Sequence, residues 1–94
     1  MRRIVRFSLP REARHEDVAN DVALALFTSE CLHGKQQTRL EVTYFVSGDG
    51  RQCVLSIAGE AGESTTRVFT GLCEQRFGES GFRVETTGEG EVLS

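Results

Sequence analysis

The chain has 94 residues, with 38% apolar and 27% charged side chains, a net charge of −3 and a pI near 5.3. That is enough chain for one domain, expected over 1–94 with an ordered core at about 3–87, and the composition is that of a packed globule rather than a disordered chain. No apolar run approaches the ~18 residues that cross a bilayer, and an acidic balance speaks against a nucleic-acid binder, whose affinity comes mostly from basic contacts to phosphate.

Met1-Arg2-Arg3-Ile4-Val5 begins like a signal peptide, but Arg6 and then Pro10 interrupt it before an apolar h-region forms. A cytoplasmic protein is expected. Cys31, Cys53 and Cys73 are odd in number and widely spaced, which fits neither a disulfide framework nor a zinc pattern, so they read as small buried hydrophobes.

Residues 3–9 alternate, with Val5, Phe7 and Leu9 on one side and Arg6 and Ser8 on the other, the period of a half-buried strand that Pro10 ends. Residues 16–33 then carry a helical period: Val18, Val22, Ala25, Leu26, Ser29 and Leu32 share a face, Glu16 and Asp17 suit the first turn, and Gly34 suits the stop. Residues 38–47 alternate again, placing Leu40, Val42, Tyr44 and Val46 on one face and Arg39, Glu41, Thr43 and Phe45 on the other. Ser47-Gly48-Asp49-Gly50 is a turn, and residues 51–58 with Cys53, Leu55 and Ile57 inward complete an antiparallel hairpin.

Gly59-Glu60-Ala61-Gly62 reads as a loop, and Ser64 as the N-cap of a helix over 65–77 with Val68, Phe69, Leu72, Cys73 and Phe77 on one side. Gly71 weakens that helix by about 1 kcal/mol relative to Ala. Gly78 stops it, and 81–87 form a last strand with Phe82 and Val84 inward. The stretch 88–94 reads as a frayed tail.

The order strand–helix–strand–strand–helix–strand resembles the ferredoxin-like split βαβ arrangement over residues 3–87: a four-stranded antiparallel sheet, order 4-1-3-2, with two helices on one face. This α+β architecture hosts many functions, so each chemistry it commonly carries is tested on the residues. The loop before the first helix, Leu9-Pro10-Arg11-Glu12-Ala13-Arg14-His15, lacks the paired cysteines of a copper chaperone. Strand 3 lacks the aromatic residues on which an RNA-recognition motif stacks bases. An acylphosphatase-like cradle would need glycines that the loop does not have, although Arg11, Arg14 and His15 sit just before a helix N-terminus and form a weak candidate anion site. An amino-acid-sensing module resembling ACT domains would bind ligand near the same loop. His15 and His33 bracket the first helix, about 27 Å apart along it, and share no site. No catalytic constellation, metal cluster or cofactor motif emerges.

On the open sheet face, Arg83 is expected beside Arg6, with Glu41 and Glu85 near enough to neutralise the pair. The most informative feature is the first helix, which is apolar on two sides. Ala23, Leu24, Phe27 and Cys31 lie opposite the expected core face, and clustered apolar residues in water mark interaction sites, unless the tail or the preceding loop covers them. The expectation is therefore a small non-catalytic interaction module that forms a homodimer or docks on a protein partner through Leu24, Phe27 and Cys31. The alternative is an anion- or metabolite-binding regulatory domain, or a small hydrolase, built on Arg11, Arg14 and His15.

Overall fold

The computed structural model describes residues 2–88. Its elements run β1 (Arg3–Ser8), α1 (His15–His33), α2 (Lys35–Glu41), β2 (Val42–Val46), β3 (Gln52–Ile57), α3 (Gly59–Phe77) and β4 (Arg83–Gly88). The strands form one open sheet in the order β2-β3-β1-β4, and every neighbouring pair is antiparallel. The architecture is α+β, with three helices rather than two.

Register fixes the two faces, because directly opposed residues point the same way. Val5 lies opposite Leu55, Phe7 opposite Cys53, and Val42 opposite Ile57, and all six are buried. Onto this face pack Val18, Val22 and Ala25 of α1 and Phe69 and Cys73 of α3. Phe7 and Phe69 meet edge to face, centroids 4.7 Å apart. Side-chain bonds pin the two helices together. Arg76 of α3 donates to both oxygens of Asp21, at 2.9 and 3.0 Å, and Ser29 and Thr65 share a buried 2.6 Å hydrogen bond.

Several expectations change. Residues 38–41 were expected in a strand and instead end the seven-residue helix α2, so β2 begins only at Val42. Lys35-Gln36-Gln37 are good helix formers. Thr38 bonds back to the Gly34 carbonyl through both its amide and its hydroxyl, and Arg2 caps the other end by donating to the Leu40 and Glu41 carbonyls. Leu40 is consequently exposed rather than inward.

Helix α3 starts at Gly59, not residue 65, so the expected loop 59–62 is its first turn and Ser64 is no N-cap. The cap comes from far away: Glu41 Oε1 accepts from the Ala61 amide at 2.9 Å, and the Glu41 carboxylate fills the space beside Gly59, which sits at φ +64°. Two inward residues are only partly covered. Tyr44 and Val84 lie on the core face by register, opposite Leu55 and Phe7, yet remain 52% and 40% exposed because β2 and β4 are the sheet edges. Leu32 is exposed as well, lying about 60° around the helix from Ser29. On the open face Arg6 stands opposite Glu85, while Arg83 stands opposite Ser8, so the expected Arg6–Arg83 neighbours are not directly paired. Gly88 belongs to β4, and the tail expected beyond it, 89–94, lies outside the described residues.

Two glycines give opposite expectations. A Cβ on Gly62 would come within 2.7 Å of the Ile57 side chain, whereas one on Gly71 would meet nothing within 4 Å. Gly62→Ala should therefore lower unfolding stability by about 1–3 kcal/mol, and Gly71→Ala should raise it by about 0.5–1 kcal/mol, in urea titrations followed by circular dichroism.

Candidate functional site

Helix α1 shows the core only one side. Val18, Val22, Ala25 and Ser29 are buried, and at 100° per residue Leu24, Phe27 and Cys31 each stand about 200° from Val22, Ala25 and Ser29 respectively. Leu24 is 50% exposed, Phe27 is 62% exposed and Cys31 is exposed. Ala23 is exposed beside them, so the apolar outer stripe is uncovered by the described part of the chain. Its flanks are distinguishable. Asp21 marks the side on which α3 lies, through its bond to Arg76, and Leu26 and Glu30 mark the side of β2, where they line a groove with Val42 and Tyr44.

The basic loop is also on the surface. Arg11, Arg14 and His15 are exposed, and Arg14 and His15 line an open cleft of about 510 Å³ at the start of α1, which Arg11 does not line. Glu16 and Asp49 line the same cleft. The His15 ring is hydrogen-bonded to the Ser47 carbonyl at 2.9 Å, and Gly50 packs so closely on the Arg14–His15 backbone that no Cβ would fit there. Asp49 is held below the usual carboxylate range by the Arg51 backbone N–H and then by the Ser47 hydroxyl. The hairpin turn thus brings a firmly ionised carboxylate to the place where an anion would have to bind.

A second polar cluster was not legible beforehand. His33, the last residue of α1, is hydrogen-bonded through Nε2 to Ser64 Oγ at 2.8 Å, in an open cleft of about 580 Å³ that Arg3, Glu63 and Arg67 also line. Arg3 and Glu63 are ion-paired across it. A serine–histidine pair is the beginning of a nucleophilic site, but activation also needs a group that orients the imidazole and donors for an oxyanion. Among the described residues no carboxylate hydrogen-bonds to His33, and Ser64 lies within α3, where its own N–H belongs to the helix ladder. The pair ties the end of α1 to α3. His15 and His33 sit at opposite ends of α1 and share no cleft.

Among the described residues, no three His, Cys, Asp or Glu side chains gather as a metal-ligand set, and no buried side-chain polar atom is without a partner. No helix there is long and apolar enough to cross a membrane. Compared with family models, curated proteins and solved structures, the chain finds no match.

The three thiols are free and differ in environment. Burial pushes Cys53 and Cys73 up to about 12, while Cys31 stands on the outer stripe. At pH 8 the native protein should therefore incorporate iodoacetamide at Cys31 alone, and at the other two only on unfolding, as read by peptide mass spectrometry. Because both buried thiols are raised above the free value of 9.0, the unfolded chain loses their protons first as pH rises. Their contribution to stability should be complete below pH 9 and decline from there towards 12, in denaturant titrations across that range.

Proposed function

We propose that this protein is a small non-catalytic interaction module of the cytoplasm that self-associates through the outer face of α1, on a ferredoxin-like scaffold. The strand order and antiparallel pairing support that scaffold, and the free thiols support a reducing compartment. The observation that carries the function is the exposure of Leu24 and Phe27, with Cys31, on one stripe opposite the core.

The stripe suits a second copy of the same chain. Two α1 helices crossing antiparallel about a two-fold axis placed between Leu24 and Phe27 set Leu24 against Phe27 of the other copy, twice. The same arrangement opposes the helix dipoles favourably. Covering the exposed part of each side chain contributes about 1–2 kcal/mol.

Phe27→Glu should weaken association at least about 100-fold in light scattering over a concentration series, because the change is felt twice across the axis, while the far-ultraviolet circular dichroism stays that of the parent. An unchanged mass at every concentration would remove this reading. In the same series, Cys31 alkylation should slow as the protein is concentrated, since association covers it.

The second reading, an anion- or metabolite-binding domain, has Arg14 and His15 in one cleft in its favour and Glu16 and Asp49 against it. Thermal stabilisation by inorganic phosphate that Arg14→Ala abolishes would select it instead.

A further inference from the structure

The two edges of the sheet are built differently. Natural edge strands are protected from pairing by charge, proline, bulges or a covering element. On β4, Arg83 and Glu85 put charges on the edge. The other edge, β2, is Val42-Thr43-Tyr44-Phe45-Val46, with no charged residue, no proline and no glycine. It is made of the β-branched and aromatic residues that pair best. Thr43, Tyr44 and Phe45 are all exposed, Tyr44 on the core face and Phe45 on the open face, so neither side of the strand is covered at its middle. Beside it runs a groove of about 390 Å³ between β2 and the helices, lined by Leu26, Thr38, Arg39, Val42 and Tyr44.

We propose that β2 is a second self-association surface, at which it pairs antiparallel with β2 of another copy about a two-fold axis at Tyr44, joining the two sheets into one. The strand is self-complementary about that residue. Val42 falls opposite Val46 of the other copy on the core face, and Thr43 opposite its Phe45 on the open face. The two Tyr44 rings become neighbours beside their grooves. The open-face row Phe45–Val54–Arg6–Glu85 then continues into the second subunit through its Thr43, which itself stands opposite Ser56.

Charge agrees with this partner. The same two-fold brings the end of α2 that carries Arg39 beside the hairpin turn that carries Asp49 of the other copy, at both ends of the paired strands. Asp49 is exposed and already ordered by the Ser47 hydroxyl and the Arg51 amide, so its position costs little further entropy. An unrelated extended peptide would gain the backbone bonds but has no reason to carry these matched ends.

This surface is distinct from the outer face of α1, and the two are separable by experiment. Thr43→Lys with Phe45→Lys sets lysines against each other twice across the axis, and Thr43→Lys with Phe45→Glu sets opposite charges there instead. Both positions are exposed, so neither pair of changes touches the core. By light scattering, the Lys/Lys variant should fall below the parental mass and the Lys/Glu variant should recover it. A Lys/Lys variant of parental mass, or a Lys/Glu variant as small as the Lys/Lys one, overturns the proposal. If α1 alone carries association, Phe27→Glu is monomeric and both β2 variants keep the parental mass. If β2 alone does, Phe27→Glu keeps the parental mass and only the Lys/Lys variant is monomeric.

Amide hydrogen exchange on the unaltered chain decides the matter even where a variant misfolds. An unpaired edge strand protects only alternate amides, whereas a paired one protects them all. Protection at every amide of residues 42–46 that rises with protein concentration is the expected result. Alternate protection at all concentrations overturns the proposal.

Discussion

The edge-to-face contact between Phe7 and Phe69 sits where the sheet meets the helices, and the remaining layers are arranged around it. Phe7 comes from a central strand, so its neighbours Val5, Cys53 and Leu55 are buried by strands on both sides and helices above. Phe69 orients α3, and α3 in turn orients α1 through Asp21–Arg76 towards one end of their contact, Ser29–Thr65 further along and His33–Ser64 at the other end. The Arg76 guanidinium is held more strongly protonated by its hydrogen bonds to Asp21. Once α1 is held this way its rotation is set, and Leu24, Phe27 and Cys31 have nowhere to go but outward.

A small domain gains most from covering that stripe. With one helix layer on one sheet face, the described chain leaves large apolar residues exposed on the outer side of α1 (Leu24, Phe27), around the α1–α2 junction (Leu32, Leu40) and on the two edge strands (Tyr44, Phe45, Val84). These are not alike. A helix stripe presents side chains alone and is satisfied by packing, whereas a strand edge also presents unpaired backbone donors and acceptors, which only another strand or water can satisfy. The two proposed surfaces therefore call for different partners' geometry even when the partner is the same chain.

The short helix α2 links these regions. It begins at the Gly34 stop, where φ +91° suits glycine, and its last residue, Glu41, reaches over to cap α3 at the Ala61 amide. Arg2 binds the carbonyls at its C-terminal end and also bonds Ser56 of β3. This seven-residue helix thus joins Arg2, the end of α1 and the beginning of α3, and it sets where β2 can start.

Periodicity alone determined α1, its outer apolar stripe, the β2–β3 hairpin and the facing of Phe7, because each of these follows from a residue's neighbours along the chain. The alternation at 38–47 was ambiguous: Thr38-Arg39-Leu40-Glu41 fits a strand by parity and a helical turn by propensity, and the bonds from Gly34 and Arg2 decided for the turn. The first turn of α3 was hidden for a similar reason, since its cap is supplied by Glu41, far back in the chain, and not by the local Ser64. The Ser64–His33 pair likewise joins two helices that only tertiary packing brings together. Parity placed Tyr44 and Val84 on the core face correctly but could not say how covered they would be, because burial in a sheet depends on having a strand on each side and a helix above. The sequence by itself therefore determined which way the side chains of α1 and of the strand residues point; the tertiary structure decided that 38–41 turn as a helix and which of the inward residues meet anything when they arrive.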